Sequence, residues 1–263
     1  MNPYLNRITN IEYSRLPGYA GNSELHFRKA AADGFDGLKA DMRLSADGEI
    51  VLCHDPGYTL GKDGRITAFD EENFRAIHDM TLSEILSLEF DTPDENGCYY
   101  GPCTIDTVLA VCKEYGIIPY LTNRHEDWRV QTAERMAEKL EAYGLTGKAI
   151  MNLYSGDPDT MRAIRTFIPD AAACDTKHDY DLFSREMIDA SADAGYKIIC
   201  LCHRSKAPVT RELTDYAREK GVSVWEWGMT AREDVKRYLD LGITGFQMYT
   251  RDVTNSVIRS MGY

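Results

Sequence analysis

The chain has 263 residues, 43% of them hydrophobic, and a formal net charge of −12. That is enough for one α/β barrel or two small domains, and its negative field argues against general nucleic-acid or anionic-membrane binding. No apolar run approaches the roughly 18 residues of a membrane span, and residues 1–10 lack a basic and then apolar signal pattern. The seven cysteines are odd in number and irregular in spacing, with no CxxC pair; reduced thiols in a cytoplasmic protein are expected rather than a zinc site or disulfide framework.

In chain order, residues 8–13 read as a short strand, broken by Pro17-Gly18. Asn22 or Ser23 can cap a helix through Leu25, Phe27, Ala30 and Ala31, which Gly34 ends. Residues 37–55, GLKADMRLSADGEIVLCHD, follow. Leu38, Ala40 and Met42 alternate with Lys39, Asp41 and Arg43, so a strand puts the two sets on opposite faces. Asp47-Gly48 is a hairpin signal of the type I′ kind, and Ile50 to Cys53 return as a buried strand ending at His54-Asp55. Residues 56–101 are rich in turn formers, and Thr81-Leu82-Ser83-Glu84 inside them resembles a capping box. Such a long insertion is expected to cover one end of the fold.

The rhythm then becomes regular. Helices are predicted over 105–115, 128–143, 158–167, 185–194, 209–220, 232–241 and 253–261. Strands are predicted over 117–121, 149–153, 171–173, 197–201, 222–227 and 245–248. Gly195, Gly221 and Gly242 sit where left-handed helix ends belong. Alternating strands and helices imply right-handed βαβ units. With the first two strands there are eight repeats, which predicts a single α/β domain over 1–263, a closed (β/α)8 TIM barrel with an insertion at about 56–101 after strand 2. A doubly wound open sheet is the alternative, but no GxGxxG follows a strand. In a barrel the chemistry belongs at the C-terminal strand ends: Ser14-Arg15, Lys39-Asp41, His54, Thr122 to Arg124, Asn152 to Tyr154, Cys202-His203, Trp227 and Met248-Tyr249.

The Phe27-Arg28-Lys29-Ala30 run followed by residues 34–55 resembles the glycerophosphodiester phosphodiesterase family. MTLSEILSL, CTIDTVL, DPDTMRAIRTFIPD and LGITGF follow in that family's order. The resemblance implies a (β/α)8 barrel with an insertion after the second strand, hydrolysis of glycerophosphodiesters in lipid metabolism, one Ca²⁺ or Mg²⁺, and two histidines. Position by position the chain departs from it. The first His-Arg-Gly falls on Ser14-Arg15-Leu16, so Arg15 remains and the histidine is serine. Glu-Asn-Thr falls on Gly21-Asn22-Ser23, Glu-x-Asp on Lys39 and Asp41, and Glu-x-Lys on Thr122 and Arg124. The second histidine matches His54, the strand-seven tryptophan matches Trp227, and Thr-Asp falls on Met248-Tyr249.

Three ligand carboxylates are thus replaced, one by a cation, and Asp41 alone is a poor seat for a hard divalent ion. The expectation is a divergent site without metal, the alternative being a conventional Ca²⁺- or Mg²⁺-dependent phosphodiesterase using a site not matched here. Lys39, Arg15 and Arg124 would hold a small phosphorylated ligand such as a glycerophosphodiester, and Trp227, Tyr154 and Tyr249 would wall it. His54 would act as acid or base, oriented by Asp41 or Asp55. Hydrolysis would be metal-independent, altered or lost, and in the last case the chain is a pseudoenzyme. The plain structural reading makes Lys39-Asp41 a buried ion pair replacing the metal. A Schiff-base role for Lys39 is disfavoured, since Asp41 should favour its charged form. His26, in mid-helix, is expected to be structural, and Cys202 and His203 should point to opposite faces.

Overall fold

The computed structural model describes residues 2–13, 16–124, 130–154, 158–177, 183–203, 209–229 and 232–248, with positions 252, 256, 257 and 260. Strand β1 (Thr9–Glu12) leads through helix α1 (Glu24–Ala32) to β2 (Gly37–Leu44), which turns back into the short β3 (Ile50–Leu52). The inserted segment contributes β4 (Gly57–Leu60), β5 (Ile66–Thr67), β6 (Phe74–Ala76) and α2 (Leu82–Leu86). The regular alternation follows: α3 (Ile105–Tyr115), β7 (Ile118–Asn123), α4 (Val130–Tyr143), β8 (Ile150–Tyr154), α5 (Pro158–Phe167) and β9 (Ala172–Thr176). It continues through α6 (Arg185–Ala194), β10 (Ile198–Cys202), α7 (Arg211–Glu219), β11 (Ser223–Met229), α8 (Arg232–Asp240) and β12 (Gly245–Met248). The helix expected over 253–261 falls largely outside the described residues.

The main sheet runs β1-β12-β11-β10-β9-β8-β7-β2, and β1 also pairs with β2, so the eight parallel strands close into a barrel. Closure removes both sheet edges and rules out the doubly wound alternative. Local chemistry sets the ends of the elements. The Ser23 side chain accepts the His26 N–H to start α1, Ser184 and Thr210 do the same for α6 and α7, and Gly195 closes α6 with a left-handed φ of 84°.

Period two divides each strand between two cores. Ile11, Tyr120, Ile150, Cys174, Cys200 and Trp225 fill the barrel interior. Leu38, Ala40, Met42, Leu121 and Met151 face outward onto Phe27, Val108, Leu109 and Met136 of the helices. Above Tyr120 the interior turns polar: Asn152 Nδ2 donates to Thr122 Oγ1 at 3.2 Å, and the Thr176 hydroxyl donates to Asn152 Oδ1. This polar layer lies at the C-terminal strand ends, so the same parity that buries Ile11 sends Lys39 and Asp41 into the mouth.

The β2–β3 hairpin is not the type I′ turn expected. Its connection spans residues 45–49, the Gly48 N–H bonds to Ser45 O at 2.9 Å, and the Ser45 N–H bonds to Glu49 O at 3.0 Å. Only Gly48 there has a positive φ, 77°, whereas type I′ needs two. The inserted segment forms a folded lobe. Its sheet order is β5-β4-β6, and the predicted capping box of Thr81 and Glu84 is formed. Tyr58, Ile77, Met80 and Ile85 of the lobe bury against Val51 and Cys53. The Ala46 N–H donates to Met80 O at 2.8 Å and the Leu82 N–H to Asp47 Oδ1 at 2.9 Å, which ties the lobe to the hairpin.

Candidate functional site

Lys39 and Asp41 are consecutive inward positions on β2, 2% and 0% exposed. Lys39 Nζ donates to both carboxylate oxygens of Asp41, at 2.6 Å to Oδ1 and 2.7 Å to Oδ2. The parallel register of β2 and β7 sets Asp41 beside Thr122. The chain leaving β7 carries Arg124 across Asp41, where its Nε donates to Oδ1 at 2.8 Å. Asn22 completes the ring, its Nδ2 donating to Asp41 Oδ2 at 3.1 Å while its Oδ1 accepts the Asp41 N–H at 2.9 Å. Asn22 holds a φ of 57° to do so, a left-handed conformation that asparagine tolerates better than most side chains.

Burial pushes the Asp41 carboxyl upward, but Lys39 and Arg124 outweigh it and hold the group well below the usual carboxylate range. Burial also draws the Lys39 ammonium down; Asp41 opposes this and Arg124 adds to it. Lys39 therefore lies below an ordinary lysine, not above it as expected from its neighbour alone. Complete desolvation costs more than a carboxylate shared with a second cation returns. A Schiff-base role still finds no support, because Nζ is engaged on both Asp41 oxygens.

His54 follows β3 and is 40% exposed at its side chain, with Nδ1 2.8 Å from Asp55 Oδ1. Of the two predicted orienting carboxylates, Asp55 makes the contact. Burial lowers the His54 pKa, and the Asp55 bond opposes that shift. A neutral ring donating Nδ1–H to Asp55 presents Nε2 as a lone pair, which suits a base.

Arg43 is an organising residue that sequence reasoning did not single out. Its Nε donates to Cys53 O at 3.2 Å, its Nη2 to His54 O at 2.6 Å and its Nη1 to Arg124 O at 3.2 Å. One guanidinium thus fastens the chain at His54 to the chain at Arg124. The signal was present, since 43 continues the 39, 41 alternation. Trp227, the proposed wall residue, stacks on Tyr13 at 5.8 Å between centroids and 16° between planes. Lys39 Nζ stands 5.4 Å from the Tyr13 ring centre. Tyr13 precedes Ser14 just past the end of β1, a position whose only sequence signal is its place at a strand end. Ser14, Arg15 and Tyr249 lie outside the described residues, as does the side chain of Tyr154. His26 is fully buried on α1, its Nε2 3.0 Å from Glu12 Oε1 on β1, in a structural setting. The Cys202 side chain is buried, while His203 points to α8 with Nε2 3.6 Å from Asp234 Oδ2.

These residues do not fit a hard divalent cation. Asp41 already accepts two hydrogen bonds from Lys39, one from Arg124 and one from Asn22, filling the roughly four acceptor positions of a carboxylate. Ca²⁺ or Mg²⁺ needs about six or more oxygen ligands, and the described residues contain no group of three or more His, Cys, Asp or Glu able to hold a metal.

The fold and the site thus define a closed barrel with two side-chain cations gathered on one buried carboxylate at its mouth. Comparison then fixes the lineage. Residues 14–248 match the glycerophosphoryl diester phosphodiesterase family, and the chain belongs to that family. Solved structures share the fold. A Silicibacter pomeroyi protein, provisionally described as a glycerophosphoryl diester phosphodiesterase, is 21% identical with a TM-score of 0.79, over 97% of this chain and 94% of that one. An Oleispira antarctica phosphodiesterase, in complex with the product sn-glycerol-3-phosphate, is 14% identical with a TM-score of 0.76, over 95% and 96%. A glycerophosphodiester phosphodiesterase from Agrobacterium tumefaciens is 15% identical with a TM-score of 0.72, over 95% and 100%. None of the curated proteins compared matches the chain.

Proposed function

We propose that the chain recognises a phosphodiester of the glycerophosphodiester class at the barrel mouth and does so without a divalent cation. The observation that carries this reading is the closed ring around Asp41, with Lys39 and Arg124 where a metal-binding relative would need free carboxylate oxygens. Arg124, 20% exposed, is the cation that meets the ligand from solvent, and Lys39 backs it from within. Arg15 and Tyr249 are proposed to extend the cradle, and Tyr154 and Trp227 to wall it. In the metal-free reaction the two cations stabilise charge on the non-bridging phosphoryl oxygens. His54 Nε2 takes the proton from the attacking hydroxyl as its oxygen bonds to phosphorus, and returns that proton to the departing alcohol oxygen as the P–O ester bond breaks. A reducing compartment such as the cytoplasm suits the free cysteines.

A second reading is recognition without turnover, favoured by the position of His26, which is held against Glu12 behind β1 and gives His54 no partner acid. One experiment separates the readings. Binding of sn-glycerol-3-phosphate and turnover of glycerophosphodiesters and an aryl phosphodiester are measured with chelator, and again with Ca²⁺ or Mg²⁺. Chelator-insensitive turnover lost in His54→Ala supports the metal-free enzyme. Binding without turnover, weakened in Arg124→Gln and Lys39→Met, supports the binder. Turnover that depends on added metal refutes both.

A further inference from the structure

A cleft of about 240 Å³ opens between the barrel and the inserted lobe. At its barrel end it is lined by Asn22, which holds Asp41, and by His54. Away from that end the lining includes the rings and alkyl groups of Tyr58, Ile66, Phe69 and Phe90, beside Thr59 and Thr67. Phe69 is 71% exposed, and its ring packs edge-on against Phe74 at 5.8 Å. Of the described large hydrophobic side chains it is the most exposed, and it stands on this cleft rather than on a featureless surface. The Thr59 hydroxyl, also in the lining, is already engaged with the Asp70 backbone, donating to its carbonyl at 3.2 Å and accepting its N–H at 3.0 Å. The walls are fixed to each other: the Ala20 N–H donates to the Tyr100 hydroxyl at 2.9 Å, and the Cys103 thiol reaches Asn22 O at 3.2 Å. The cleft is therefore part of the folded structure.

Asn22 and His54 line the near end of the cleft and Asn22 bonds Asp41, so an ester arm of a phosphate held at Arg124 would enter the cleft if it extends past His54. A polyol in the far part of the cleft would give up water for ring and alkyl faces, leaving hydroxyls unpaired. An alkyl, acyl or aryl chain gains from the same surface. We propose that the cleft is the subsite for the second alcohol of the diester and that it selects an apolar chain, so that the preferred ligands are amphiphilic phosphodiesters. This rests on the phosphodiester reading above.

The test compares the methyl and octyl esters of sn-glycerol-3-phosphate by calorimetry, below the micellar concentration, with sn-glycerol-3-phosphate as reference. The octyl ester should bind at least ~10-fold more tightly than the methyl ester, as burial of several methylenes implies. Phe69→Ala, and independently Thr67→Trp, which narrows the cleft, should remove most of that preference while leaving methyl-ester and sn-glycerol-3-phosphate affinities unchanged. Equal affinity for the two esters overturns the proposal, and so does an octyl preference that survives both substitutions. If no ester binds and sn-glycerol-3-phosphate does not bind either, the phosphodiester reading itself fails and this one with it.

Discussion

At the scale of the residue, Asp41 is the hub of a cation cluster, accepting from both Lys39 and Arg124. Its carboxylate is fully buried and ionised, so removing its charge strands Lys39. Asp41→Asn should destabilise the fold by about 3–5 kcal/mol, the cost of breaking a buried pair, read by denaturant unfolding. Arg124 is partly exposed and makes a charge-assisted contact. Arg124→Gln should therefore fold normally and weaken sn-glycerol-3-phosphate binding ~10-fold or more, the equivalent of about 1.5–3 kcal/mol. His54 gives a pH signature. Its pKa is lowered, so the folded state prefers the neutral ring. Any stability this contributes is present above the unfolded pKa of about 6.5 and lost as pH falls toward the folded value. A base of this kind should remain active at pH 6.5 and lose activity only at lower pH, and a rate profile with its acid limb above pH 7 would contradict the assignment.

At the scale of the element, the β2–β3 hairpin and the start of the loop after β7 are one mechanical unit, because Arg43 binds carbonyls in both. Lysine supplies charge but not the planar fork. Arg43→Lys should therefore lower turnover or ligand affinity while far-ultraviolet circular dichroism stays unchanged. The opposite side of the barrel shows what a mispaired group costs. Glu226 points outward from β11 under α8, is 1% exposed, and its Oε2 has no hydrogen-bond partner. Burial pushes its carboxyl well above the ordinary value, with Arg237 opposing and Asp234 reinforcing. The folded state thus favours the protonated acid, and its contribution is lost as pH rises above the unfolded value of about 4.3. Glu226→Gln should raise the melting temperature by roughly 2–4 °C at pH 8 and make little difference at pH 4.5.

At the scale of the whole molecule, the proposed anion site would draw its charge from side chains, in a chain of net charge −12. Such a site should ignore chelators. Added Ca²⁺ or EDTA should leave the melting temperature unchanged, whereas sn-glycerol-3-phosphate at about 100 times its dissociation constant should stabilise by about 2.7 kcal/mol. The lobe turns the mouth from an open bowl into a walled cleft. No helix among the described residues is long and apolar enough to cross a membrane.

The barrel was legible because period-two strands and capped amphipathic helices are local patterns. The bounds of α3, α5, α6 and β12 could be read directly from Gly, Pro and the apolar rhythm. That Lys39 and Asp41 share one face was legible for the same reason, since parity along a strand is a local property; which face turns inward was decided only when the barrel closed. What the sequence left open depends on contacts between distant segments. Asn22 reaches Asp41 across 19 positions and Arg124 across 83, and no spacing rule encodes either. Whether Lys39 is raised or lowered is a balance of burial against neighbours, and burial exists only once eight strands have closed around it. The type of turn at Gly48 and the lobe's cleft were decided the same way, by what the rest of the chain packs against them.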